Sequence, residues 1–120
     1  MLVISGSMGS GKTTLLGEAS DLLTARGAPH AAIDLDVLGL CHLPSGVQDD
    51  LTGLNLSAVW RNYAVAGVRH LLISEAIDSE EKLARLRRAV PGAQISVCRL
   101  RAGLSTMKER VRAREPGMLQ

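Results

Sequence analysis

Apolar residues along the chain fall into two alternating patterns. Short uninterrupted runs stop at glycine, serine or a carboxylate, and longer stretches between them carry one apolar stripe. Leu2-Val3-Ile4-Ser5, ended by Gly6, reads as a buried strand. From Lys12 to Arg26, the residues Leu15, Leu16, Ala19, Leu22 and Leu23 share one helical face, and Gly27 and Pro29 supply the stop. Ala31-Ala32-Ile33 predicts a second strand ending at Asp34. Residues 37–55 are rich in Gly, Pro, Asp and Leu and read as irregular. Leu56 to Ala66 predicts a helix, with Asn55 or Ser57 as cap and Gly67 beyond its end. Val68 to Ser74, around Leu71-Leu72-Ile73, predicts a third strand. Asp78 followed by Glu81 resembles a capping box and opens a helix running to about Val90, before Pro91-Gly92. Ala93 to Leu100 predicts a fourth strand, and Ser105 to Arg114 a last helix ended by Pro116-Gly117. Strands alternating with helices predict a single α/β domain over residues 1–120 with a parallel sheet.

Composition narrows this picture. Of 120 residues, 46% are hydrophobic and the net charge is +2, which excludes a disordered tail. Two cysteines, Cys41 and Cys98, exclude a disulfide scaffold. No apolar run approaches the roughly 20 residues that span a bilayer. The N-terminus lacks the basic segment of a signal peptide, so a cytoplasmic location and no membrane partner are expected. With no Phe, one Trp and one Tyr, the core must be Leu, Val, Ile and Ala. Charge is uneven: residues 1–98 carry eight basic and ten acidic side chains, whereas 99–120 carry six basic and two acidic. That basic end reads either as a solvated helix or as an anion-binding element. It has no interleaved aromatics for base stacking, which argues against a nucleic-acid partner.

The most specific chemical signal follows the first strand. Gly6-Ser7-Met8-Gly9-Ser10-Gly11-Lys12-Thr13 matches the pattern G-x-x-x-x-G-K-[ST], between a predicted strand and a predicted helix. Glycines let the backbone curl so that its N–H groups face phosphate oxygens, and the helix start adds its positive dipole end. In such a loop Lys12 reaches the β- and γ-phosphates and Thr13 ligates Mg²⁺; residues 6–14, Thr14 included, are the expected ATP contacts.

Asp34-Leu35-Asp36 lies just past the second strand. If the chain stays extended there, both carboxylates face the crevice beyond the carboxyl ends of the strands, where open α/β sheets bind ligands. Such a carboxylate accepts a proton from a hydroxyl or holds Mg²⁺ through water; the plainer reading is a turn capped by one Asp. Glu75 ends the third strand and either orients a Mg²⁺-bound water or a substrate group, or simply stands in solvent. Arg110 and Arg114 are four apart, so they share a helical face and can clamp phosphate oxygens.

In this order, the loop, the Asp34/Asp36 pair and the C-terminal arginines resemble the P-loop small-molecule kinases, the group of shikimate, gluconate, adenylylsulfate, chloramphenicol and nucleotide kinases. The resemblance covers nearly the whole chain. It implies a three-layer α/β/α fold with strand order 2-3-1-4, ATP and Mg²⁺, and transfer of a phosphoryl group to a hydroxyl of a small-molecule acceptor. It places Asp34 nearer the metal and Asp36 nearer the acceptor. It makes Val97-Cys98-Arg99-Leu100 the strand leading to a lid over about residues 101–120, where Arg110 and Arg114 close over ATP. Kinases of this group continue past the lid into a further strand and helices, so the resemblance implies a C-terminally truncated or minimised form. The strand at 93–100 would then be an open edge available for self-association. A nucleotide-binding module without transfer, or an inactive truncated domain, is the alternative.

Trp60 and Tyr63 share a helical face and either wall a ring-shaped acceptor or fill the core. Arg61 either holds an anionic acceptor or lies on the surface. Cys41-His42 has no second pair at zinc-ligand spacing, and His30 and His70 precede strand cores and read as structural.

Overall fold

The structure, a computed structural model, describes residues 1–7, 10–44 and 48–100. Four short strands carry the apolar runs: β1 (Leu2–Ser5), β2 (His30–Asp34), β3 (His70–Ser74) and β4 (Ser96–Arg99). Four helices connect them: α1 (Lys12–Ala25), α2 (Leu35–Leu38), α3 (Gln48–Ala66) and α4 (Glu80–Ala89). All pairings are parallel and the order is β2-β3-β1-β4, as the resemblance implies. The register sets Val3 beside Ile73 and Val97, and Asp34 beside Ser74.

Alternation along the strands sorts side chains to two faces. Val3, Ala31, Ile33, Leu71 and Ile73 meet Leu35 of α2, Leu56 of α3 and Leu86 and Ala89 of α4 in the larger core. Ile4 and Leu72 face the other way and meet Leu16 of α1, with Leu15, Ala19 and Leu23 half-buried beside them. Leu22, predicted on that buried face, is 61% exposed, because the covering layer there is one helix wide among the described residues.

Two local boundaries differ from the sequence expectation. First, α3 begins at Gln48, so most of the stretch expected to be irregular is helical and neither Asn55 nor Ser57 caps it. Its extra turns carry Thr52, which is buried, and Asn55, whose Nδ2 donates to Leu38 O at 2.7 Å. Gly53 lies where α3 crosses α4; a Cβ there would stand 3.3 Å from Arg85 Cγ. Tertiary contact therefore sustains a helix that propensity alone disfavours. Second, α4 is capped by Ser79 rather than Asp78: Lys82 N donates to Ser79 Oγ at 3.3 Å. Asp78 instead pairs with Lys82 at 3.3 Å. Glu80 and Glu81 in the first turn and Arg87 and Arg88 in the last suit the helix dipole. No helix of the described residues is long and apolar enough to cross a membrane.

Candidate functional site

The glycine-rich segment leaves the carboxyl end of β1 and turns into α1. Gly6 is held small by its surroundings, since a Cβ there would strike Ser10 Oγ and stand 3.2 Å from Leu100 Cβ. Ser10 N donates to Ser7 O at 3.1 Å and closes the turn. Gly11 then adopts φ 94°, ψ 17°, the left-handed region that glycine enters without steric cost, and becomes the N-cap of α1. It offers no side-chain cap, so the first amides of α1 remain open to an anion. Lys12 Nζ donates to Gly6 O at 2.8 Å, which curls the ammonium back over the loop. Ser10 is 2% exposed and its Oγ has no hydrogen-bond partner among the described residues. Thr13 and Thr14 lie exposed in the first turn of α1. Met8 and Gly9 lie outside the described residues.

The loop is anchored from behind. Ser5 Oγ accepts from Ile77 N at 3.0 Å, Leu100 N donates to Ser5 O at 2.7 Å, and Glu75 N donates to Ile4 O at 3.1 Å. The ends of β1, β3 and β4 are thereby locked together beneath the turn. A cavity of about 350 Å³ opens beside it, lined by Gly6, Ser7, Asp78 and Arg99 among others. Arg99 Nη1 donates to Ile77 O at 3.3 Å across that cavity.

The carboxylates gather at the same edge of the sheet. The chain does not stay extended after β2, as the sequence reading supposed. Asp34 becomes the N-cap of α2, its Oδ1 accepting from Asp36 N at 3.2 Å, and helix begins at Leu35. The plainer capping reading of Asp34 thus holds, and the turn separates the two carboxylates. Alternation along β2 leaves Asp34 half-buried on the α1 side, opposite Ile33. Asp36 is exposed on the first turn of α2.

Glu75 does not stand in solvent. It is 4% exposed, and its Oε1 receives Arg85 Nη2 of α4 at 2.6 Å. Burial pushes its carboxyl above the ordinary carboxylate range; Arg85 and Lys82 pull it down, and the Asp36 charge pushes it up. Asp36 and Glu75 therefore share one electrostatic neighbourhood. Sequence reading missed Arg85, which lies ten residues from Glu75 on a basic helix; only the packing of α4 brings the two together.

Trp60 is not an acceptor wall. It packs against the larger core and lines a cavity of about 750 Å³ with Met1, His70 and Gln94, at the amino ends of the strands. The glycine-rich turn is at the carboxyl ends, so the sheet separates the two. Tyr63, 38% exposed, follows on the same helix, and Arg61 is exposed. Cys41 and His42 are exposed too. Among the described residues no group of three or more His, Cys, Asp or Glu side chains could hold a metal ion. The lid at about 101–120, with Arg110 and Arg114 and the predicted last helix, lies outside the described residues.

No family model matches the chain, and no curated protein does. Solved structures do. A gluconokinase from Sinorhizobium meliloti 1021 matches with 25% identity and a TM-score of 0.56, over 96% of this chain and 65% of that one. The chain has the P-loop kinase fold. APE1195 superposes with a TM-score of 0.67 at 21% identity, over 98% of this chain and 69% of that one. A chain of the Pnkp1/Rnl/Hen1 complex superposes with a TM-score of 0.63 at 16% identity, over 91% of this chain and 38% of that one. In this chain the turn between β1 and α1 stands at the same carboxyl edge of the sheet as Asp34, Asp36 and Glu75.

Proposed function

We propose that this protein transfers the γ-phosphoryl group of Mg·ATP to a hydroxyl of a small-molecule acceptor. The observation that carries the reading is the junction of β1 and α1. A G-x-x-x-x-G-K-[ST] turn, with Gly11 left-handed and Lys12 folded over it, opens at the edge where Asp34, Asp36 and Glu75 also end. The residues fit the ligand: the uncapped α1 amides and the unpartnered Ser10 hydroxyl are donors that phosphate oxygens would accept from. For Mg²⁺, the Thr13 hydroxyl and Asp34, through water, would supply the protein ligands. Mg²⁺ commonly takes few side chains and completes its shell with phosphates and water.

Loop amides and Lys12 hold the β- and γ-phosphates. Mg²⁺, when bound, neutralises charge building on the phosphate oxygens. Asp36 accepts the proton of the acceptor hydroxyl. The acceptor oxygen bonds to the γ-phosphorus as the bond from that phosphorus to the β–γ bridging oxygen breaks, and ADP leaves. Arg110 and Arg114 would close over the phosphates. Rate then comes from positioning and charge stabilisation. The alternative, nucleotide binding without transfer, draws support from the capping bond that engages Asp34.

Asp36→Asn tests the assignment. ADP release in the presence of acceptor is expected to fall on the order of 100-fold or more, with ATP affinity kept within about twofold. Equal losses in both would make Asp36 a nucleotide or metal residue.

A further inference from the structure

The cavity of about 750 Å³ at the amino ends of the strands lies at the opposite end of the sheet from the phosphate turn, and phosphotransfer makes no use of it. Its wall is largely apolar. Leu71, Leu72 and Val90 are buried there and Trp60 is half-buried. Leu22 of α1 lines it too and is 61% exposed. Apolar surface left open to water is costly, and the volume falls in the range of small-molecule sites.

The charged part of that wall has one sign. Arg26 and Arg69 line the cavity, and no Asp or Glu of the described residues does. This runs against the composition, since residues 1–98 carry ten acidic side chains and eight basic. Lys82, Arg85 and Arg88 of α4 each pair with a carboxylate of the fold. Arg26 and Arg69 have no such partner among the described residues. Two guanidinium forks with free donors beside an apolar wall suit a carboxylate. The helix dipole then selects among anions. Arg26 is the C-cap of α1, so the cavity meets the negative end of that helix, which disfavours a multiply charged phosphate. The positive end of the same helix is at the phosphate turn.

We propose that this cavity binds a small amphiphilic carboxylate: an alkyl chain or ring lies against Trp60 and Leu22, and one carboxylate accepts hydrogen bonds from Arg26 and Arg69. His70 and Gln94, also on the wall, bring further polar groups to the same end of the ligand. The site is separate from the phosphate turn and requires no nucleotide.

Trp60 is the one tryptophan of the sequence, so its emission reports on this cavity. The test titrates the whole chain, without nucleotide, with octanoate, 1-octanol, octylamine and acetate. Octanoate is expected to change the emission saturably, with 1-octanol and acetate weaker by about tenfold or more and octylamine without effect. Arg26→Gln and Arg69→Gln are each expected to weaken octanoate about tenfold, and Lys12→Ala to leave it unchanged. Equal affinity for octanoate and 1-octanol, or octanoate binding untouched by both arginine variants, overturns the inference. So does loss of octanoate binding in Lys12→Ala, which would put the carboxylate at the phosphate turn. Where the emission does not change, calorimetric titration with octanoate decides, and absence of saturable heat overturns the inference.

Discussion

Replacing Arg85 by methionine removes the guanidinium and keeps most of its aliphatic volume. The ion pair it breaks is 2.6 Å long, with side chains 14% and 6% exposed. A carboxylate left buried without its partner typically destabilises a fold by about 3–5 kcal/mol. Lys82 still pulls on Glu75 from a distance, while Asp36 opposes it, so a loss of about 3 kcal/mol at neutral pH is expected. In a domain of this size that lowers Tm by roughly 12–20 °C. The loss must also depend on pH. Burial raises the Glu75 pKa above its unfolded value, so the folded state holds this proton more tightly. Stability contributed by the group is therefore full below the unfolded value of about 4.3 and declines as pH rises through the folded value. Removing Arg85 raises the folded value further and steepens that decline. Urea unfolding of Arg85→Met at about pH 5 should show a much smaller deficit than at about pH 8. Adding Glu75→Gln should recover most of the loss, because a neutral amide costs less to bury than an unpaired charge. A pH-independent deficit below about 0.5 kcal/mol would refute the buried-pair account.

Two further outcomes follow from single positions. Gly6→Ala places a methyl group against Ser10 Oγ and should abolish nucleotide binding while the melting temperature falls only a few degrees; nucleotide-induced thermal shift checks it. The outer side of β4 has no strand partner among the described residues, and Cys98 on it is exposed. We expect concentration-dependent self-association through this edge in sedimentation velocity, reduced by Cys98→Lys.

Much of the fold was legible in the chain because its signals are local. Leu2–Ser5, the glycines after it and Lys12 are contiguous, so strand, turn and helix start announce themselves together. The α/β alternation and the Ser74 end of β3 were equally plain. What failed depended on distant packing. Gln48–Asn55 carries Asp, Thr, Gly and Asn, poor helix formers, yet Thr52 and Leu56 need burial and Gly53 lets Arg85 approach. Asp34 and Asp36 looked like a pair because extended spacing was assumed, whereas Asp34 caps a helix and turns the chain. Trp60 sits at the wrong end of the sheet for an acceptor wall, which helical periodicity cannot reveal. Arg85 was one arginine in a basic run; its partner is set by the docking of α4 against α3 and the end of β3.

The central claim is that the turn from Gly6 to Thr14 binds Mg·ATP. Isothermal titration of the chain with ATP and Mg²⁺ measures it directly. The account predicts saturable binding at one site, lost or weakened by about 100-fold or more in Lys12→Ala, whose ammonium now rests on Gly6 O. Absence of binding, or equal affinity in the two proteins, would contradict it.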